Sequence, residues 1–272
     1  MATLGSNQWG KSEVRVSKVI RGENGHDFLD LTARILLTGD VGAAFRDGDN
    51  SAVLPTDTTK NTVYGLAQEH LTVDIEAFAL VLCEHFVGKV GIDSATVVLS
   101  QNRWVRHGPT GFLGGGSERR TTTVAVGAGG AEVSSGIAGL VVLKTTGSAF
   151  IGFPRDELTI LPEADDRLLA TSVTSDWVYD MVPADTTATW DRVRGLLVEH
   201  FFDDWSASVQ HQGWKMAEAV LEAVPEISEI TFRLPNQHHL AFDLARFGLT
   251  NDGTVFQPVS EPYGDIRFTA HR

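Results

Sequence analysis

Polar and apolar residues alternate through EVRVSKVIRG (13–22), with β-branched residues among the apolar ones, and this period of two predicts a strand. DFLDLTARILLTGD (27–40) predicts its partner, with Gly22, Asn24 and Gly25 turning the chain between them. The period then lengthens. TDTTKNTVYGLAQEH and VDIEAFALVLCEHFVGKV predict two helices, the second with Ile75, Phe78, Ala79 and Leu82 on one face. SATVVLSQNRWVRHG and RTTTVAVGAG predict a second hairpin, and the glycines of GPTGFLGGGSE (108–118) predict a flexible loop inside it.

The second half repeats the theme. Strands are expected around 139–154 and 168–182, helices at TWDRVRGLLVEHFFDDW and VQHQGWKMAEAVLEAV, and closing strands at EITFRLPNQHHLAFDL and DIRFTAHR. LVLCEHF (80–86) and LLVEHFF (196–202) resemble each other at equivalent places, which suggests a duplicated strand-strand-helix-helix-strand-strand unit. The expected fold class is α+β, with antiparallel sheets carrying paired helices on one face. Open antiparallel edges need cover, and edge-to-edge pairing with other subunits around a closed barrel supplies it.

Composition narrows the classes of function. The chain has 272 residues, 42% hydrophobic and 21% charged, enough for one large domain or two ordinary ones with a substantial core. A formal net charge of -13 repels nucleic acid and anionic membrane surfaces, so neither is an expected partner. A small anion is still allowed, because one local Arg or Lys outweighs a distant, screened field. The single cysteine, Cys83, excludes an intrachain disulfide and a cysteine-based zinc site, and its setting in AFALVLCEHF suits a buried helix face. MATLGSNQWGKSEV lacks the apolar core of a signal peptide, no stretch approaches the roughly 20 apolar residues of a membrane span, and TAHR is not a peroxisomal address. The expected location is cytoplasmic.

Five polar stretches hold candidate chemistry. WGKSEVRV puts Lys11 before the first strand, and LPTDTTKNTVYG (54–65) puts Thr56 and Asp57 at a helix start, where they also suit capping of free backbone N–H groups. LVVLKTTGSAFIGFPRDELTILPEADDR (140–167) holds Phe150 and Arg167. SASVQHQGWKM and LPNQHHLAFDL hold Val209, Gln210, Asn236 and His238. Brought together, Phe offers an apolar face to a flat ring, Arg a charged planar fork, and Gln a donor and an acceptor for an amide edge. Such a set grips a planar, anionic, amide-rich heterocycle such as a purine or pterin, and Thr, Lys and His can move protons beside it. Each residue also has a plain alternative. Phe150 suits a core, Arg167 a surface pair with Asp165 or Asp166, and Gln210 an exposed helix position.

In these stretches the chain resembles the urate oxidase (uricase) family over nearly its whole length. The segment 140–167 resembles the family signature: an apolar run, Lys144-Thr145-Thr146, Ser148-Ala149-Phe150, Phe153, Leu161 and Arg167. LPTDTTKNTVYG resembles its T-D-x-x-K-N-T segment, WGKSEVRV its N-terminal G-K-x-x-V-R, and SVQ and LPNQHH its late substrate-site segments. Leu158 stands where an aromatic residue is usual, and Gln237 where Lys is common.

The resemblance implies tandem tunnelling-fold domains, 1–138 and 139–272, assembled as a homotetramer around a tunnel, with active sites between subunits. It implies that Lys11, Thr56 and Asp57 come from one chain, and Phe150, Arg167, Val209, Gln210, Asn236 and His238 from its neighbour. Urate and O2 are the implied reactants, with no metal or organic cofactor. Phe150 would stack on urate, Arg167 and Gln210 would hold opposite edges, and Val209 and Asp57 would offer backbone N–H groups. Asn236 would hold O2 or water, and Lys11, Thr56 and His238 would relay a proton. Neighbours on a strand face opposite ways, so one of His238 and His239 would face the site, and the resemblance implies that it is His238. The alternatives are a non-catalytic purine-binding protein of this fold and a related enzyme acting on a pterin. The lack of a Cys/His metal motif weighs against the metal-dependent relatives.

Overall fold

The first hairpin forms as its period predicts. Strand β1 (Trp9–Gly22) pairs antiparallel with β2 (Gly25–Thr38) in unbroken register from Val14↔Ala33 to Gly22↔Gly25. The computed structural model describes residues 2–203 and 205–272. The short α1 (Gly42–Arg46) leads to α2 (Thr56–His70) and α3 (Ile75–Phe86), then β3 (Ser94–His107), β4 (Gly111–Gly127) and β5 (Gly130–Lys144). After an irregular excursion come β6 (Leu169–Tyr179), α4 (Thr186–Asp203), α5 (Val209–Ala223), β7 (Ile227–Ala241) and β8 (Phe256–His271). The chain forms two compact units, Met1–Gly136 with Val182–Ala188, and Ile137–Met181 with Thr189–Arg272. No helix among the described residues is long and apolar enough to cross a membrane.

In the first unit the strands run in the order β1-β2-β3-β4. Leu31, Ala33, Ile35 and Leu37 of β2 and Val97 and Leu99 of β3 turn one face inward, and α3 covers it with Ile75, Phe78, Ala79, Leu82, Cys83 and Phe86, all fully buried. Each large apolar side chain so buried is worth about 1.5–3 kcal/mol. Asp74 starts α3 by accepting the Ala77 amide at 2.9 Å. Cys83 behaves as the small hydrophobe its setting predicts: its thiol donates to the Val124 carbonyl at 3.3 Å, and burial pushes its pKa up to about 12. The same unit buries one ion pair, Arg120 with Glu76, whose carboxylate also accepts from the Ser135 and Thr186 hydroxyls. Those extra donors satisfy the charge away from water.

The second unit repeats the plan. Val173 and Trp177 of β6 and Ile230, Phe232 and Leu234 of β7 are buried, and α5 lays Val209, Met216, Ala217 and Val220 over them. Gly213 permits that approach: a Cβ there would lie 2.6 Å from Leu234 Cδ1 and 2.7 Å from Phe268 Cε1. Leu197 and Phe201 of α4 are buried, as are Leu82 and Phe86 at matching places in the similar stretch of α3.

Two expectations are corrected. Residues 108–118 are not a loop, because β4 begins at Gly111 and pairs Gly111 with His107 and Gly114 with Trp104. The glycines mark a bulge: Asn102 pairs with Arg119 and Trp104 with Gly114, and a Cβ on Gly115 would lie 3.0 Å from the Arg103 carbonyl oxygen. The strand expected at 139–154 runs instead from Gly130 to Lys144. The apolar residues after it extend the pattern on paper, but the chain turns at Gly147, with φ at +78°, and Phe150 forms an isolated bridge with Ala164.

Candidate active site

In the first unit the start of β1 is set against the start of α2. Trp9 Nε1 donates to the Leu54 carbonyl at 3.1 Å, two residues before Thr56 and two residues from Lys11. Gly10 lets β2 come close, since a Cβ there would lie 1.9 Å from the Ile35 oxygen. Lys11 does not precede the first strand as expected: it lies within β1, paired with Ile35, and the ladder slips immediately after it, where Glu13 takes a positive φ of 56°. Further along, Tyr64 donates to the Arg15 carbonyl, and Lys18 Nζ donates to the carbonyls of Ala67, Gln68 and Leu71. An ammonium at a helix C-terminus satisfies orphan carbonyls and opposes the dipole, so Lys18 anchors the far end of α2.

The near end of α2 differs from the capping expectation. Its N-cap is Pro55, and no side chain caps it. Asp57 turns its carboxylate along the helix to Lys60 at 2.5 Å and Asn61 at 2.9 Å. Lys60, then Asn61, and more weakly the charge of Lys11, hold the Asp57 carboxyl below the ordinary range. Thr59 and Thr62 donate back to the Pro55 and Thr58 carbonyls, a common use of helical hydroxyls. Thr56 is exposed and makes no such bond, and the first amides of the helix lack intrahelical acceptors. The unit thus presents a free hydroxyl and free N–H groups at the positive end of a helix, with the Lys11 charge felt nearby.

In the second unit the excursion between β5 and β6 is held by crossing bonds. Phe150 and Ala164 exchange both backbone hydrogen bonds, at 2.7 and 3.1 Å, and the Arg167 amide donates to the Ser148 carbonyl at 2.7 Å. Ala149 donates to the Ser206 carbonyl and Ser206 to the Gly147 carbonyl. These bonds bring Phe150 and Arg167 beside the start of α5. The Arg167 guanidinium carbon lies 5.1 Å from the Phe150 ring centroid, and Phe153 stacks on that ring at 4.9 Å and 14°.

Arg167 does not make the surface pair with Asp165 or Asp166. Its Nε is buried without an acceptor, and burial lowers its pKa from the ordinary arginine value. A half-buried cation with an unmet donor is a site for an anion. Ser208 caps α5, its hydroxyl accepting from the His211 amide and its carbonyl from the Gln212 amide. Val209 and Gln210 are then the first residues of the helix, and their amides have no partner within it. Val209 is buried and Gln210 is exposed.

Asn236 follows Phe232 and Leu234 on one face of β7 and pairs in register with Thr171, four residues after Arg167. Beyond Asn236 the β7–β8 register shifts, and His238 pairs with Val259. His239 Nδ1 lies 3.3 Å from the Gln237 carbonyl. Gln237 itself is on the other face, in a cleft of about 260 Å³ with Arg233, Pro235, Ser260 and Tyr263. Leu158 is 81% exposed.

The candidate set therefore falls into two groups: Lys11, Thr56 and Asp57 in the first unit, and Phe150, Arg167, Val209, Gln210, Asn236 and His238 in the second. Two features escape sequence reasoning. Phe153 backs Phe150 from three residues away, and Asp166 binds backbone 18 and 19 residues upstream. Nothing in local spacing announces either. Among the described residues no three of His, Cys, Asp and Glu cluster so as to hold a metal ion.

The chain is similar to known proteins over nearly its whole length. The sequence model of the family described as Uricase matches residues 7–125 and 133–267. Uricase from Arthrobacter globiformis is 41% identical over 272 residues, covering 99% of this chain and 90% of that protein. Uricase from Dictyostelium discoideum is 36% identical, covering 100% and 98%. The crystal structure of uricase from Arthrobacter globiformis superposes with a TM-score of 0.95, at 41% identity, over 100% of this chain and 96% of that one. The chain belongs to the uricase family.

Proposed function

We propose that this protein oxidises urate with O2 and water to 5-hydroxyisourate and hydrogen peroxide. The observation that carries the reading is Arg167, a half-buried cation with an unmet Nε donor beside the fixed plane of Phe150. That pairing suits an anion which is also a flat ring. Urate lies against Phe150, Arg167 takes one edge, and Gln210 with the Val209 amide takes the other. Asn236 holds O2 or water over the ring.

Lys11, Thr56 and His238 draw a proton from urate, and the more electron-rich dianion then gives up two electrons. O2 takes them and leaves as hydrogen peroxide, which receives the proton held by the relay and a second from the water whose hydroxide adds to C5. The substrate carries the redox chemistry, and the chain's own groups orient it and stabilise charge. The family likeness supports sites shared between copies in a homotetramer of tandem tunnelling-fold domains, 1–138 and 139–272, working in the cytoplasm.

Protein stripped with a chelator is mixed with urate in air-saturated buffer, and urate absorbance and peroxide are followed together. One peroxide per urate lost is the expected result. No urate loss from a correctly assembled oligomer overturns the reading, and turnover of a pterin in its place identifies the other enzyme class.

A further inference from the structure

Asp166 adjoins Arg167 in sequence yet spends its carboxylate elsewhere. Oδ2 accepts from the Thr146 hydroxyl at 2.5 Å, and Oδ1 accepts from the Gly147 amide at 2.8 Å and the Ser148 amide at 3.4 Å. Arg167 closes the same ring through its own amide, which donates to the Ser148 carbonyl at 2.7 Å. Two residues beyond Ser148, Phe150 is locked to Ala164 by a pair of backbone bonds. The arms 146–150 and 164–167 are thus joined by at least six hydrogen bonds, of which Asp166 accepts three. One arm ends in the Phe150 ring and the other in the Arg167 guanidinium. The Thr146 hydroxyl first, then the amides, hold the Asp166 carboxyl below its ordinary range, so it is ionised at neutral pH.

We infer that Asp166 is a positioning residue for urate: by holding residues 146–148 it fixes the Arg167 fork against the Phe150 plane, and its commitment there leaves Arg167 without an internal counter-ion. The role rests on the urate reading above. Two physical effects of opposite sign make it testable. The Asp166 charge, close to the anion site, opposes urate binding by simple repulsion. Its hydrogen bonds favour binding, because a fork fixed beforehand loses less freedom when it closes on its ligand. If positioning dominates, Asp166→Asn weakens urate; if the field alone matters, it tightens urate.

The experiment measures urate binding under argon, where no turnover occurs, together with KM and kcat in air. Asp166→Asn is expected to raise the anaerobic Kd and KM about 10-fold, with kcat at saturating urate within about 3-fold of the parent. Thr146→Val, which removes one bond and no charge, is expected to shift Kd in the same direction by about 3-fold, and it decides the matter if the first variant fails to fold. In an Arg167→Gln background, Asp166→Asn is expected to add nothing further, since coupled residues are non-additive. An unchanged or lower Kd in Asp166→Asn, or full additivity with Arg167→Gln, overturns the positioning role while leaving the urate reading intact. Parent protein that neither binds urate under argon nor consumes it in air overturns the urate reading and this role with it.

Discussion

The two groups of candidate residues are built in opposite ways. The first rests on regular structure: Lys11 leaves a strand at a bulge, and Thr56 and Asp57 open a helix fastened to β1 by Trp9, Tyr64 and Lys18. Thr56 and Asp57 are exposed, Lys11 is half-buried, and no side chain caps the helix they open. In the second, Phe150 and Arg167 rest on an irregular excursion from 145 to 168, where crossing backbone bonds fix them and burial leaves Arg167 Nε unmet. Proton transfer suits the first kind, since hydroxyl and ammonium must change partners. Grip on a flat anion suits the second, since a rigid fork and ring lose little freedom on binding. The difference predicts a division of labour, in which the helix end governs turnover and the excursion governs affinity.

The largest expected effect comes from the first group. Lys11→Met with Thr56→Ala should lower kcat by about 10²–10⁴-fold, the usual worth of positioned acid–base groups, while anaerobic urate affinity stays within about 3-fold. Stopped-flow turnover and argon titration separate the two quantities, and a matching loss of affinity would break the division. Arg167→Gln comes next, with kcat/KM down about 100-fold, or about 2.7 kcal/mol, carried mainly by KM. A fall confined to kcat would reassign Arg167 to the chemical step.

Smaller effects probe the repeat beneath the sites. Cys83→Val places at Cys83 the residue found at Val198, the matching position of α4, and thermal unfolding should shift by about 1 kcal/mol or less if α3 tolerates the added volume. Before unfolding, the buried thiol of the parent protein should not react with a thiol reagent at pH 8, given a pKa of about 12. The smallest effect belongs to Leu158→Tyr, at an 81% exposed position, expected within about 0.5 kcal/mol in chain stability.

Much of this is legible in the sequence. The period of two in 13–22 and the apolar face of Ile75, Phe78, Ala79 and Leu82 reported real geometry because burial selects one face of each element. The run 108–118 misled, because glycine marks a flexible loop and a strand bulge with the same letters. The stretch 148–153 misled because its apolar residues serve a bridge and a ring stack and not a continued strand. Capping by Thr56 or Asp57 failed at one position, because Pro55 occupies the N-cap and contributes no side-chain acceptor. In the site, residue types carried the signal for Arg167 and Phe150. The bonds of Asp166 were out of reach, since a carboxylate's choice among backbone amides depends on how distant chain segments meet.

The fastening of α2 is lopsided. Lys18 gathers three carbonyls at its last turn, while no side chain caps the amides of its first. Local opening should therefore begin at Thr56 and spread toward Tyr64, with the amides near Ala67 closing last. In deuterated solvent the helix should exchange as a gradient, fast at the end that offers the hydroxyl and slow at the end the lysine grips. A ligand held by the first-turn amides should flatten that gradient, giving an occupancy gauge that needs no turnover.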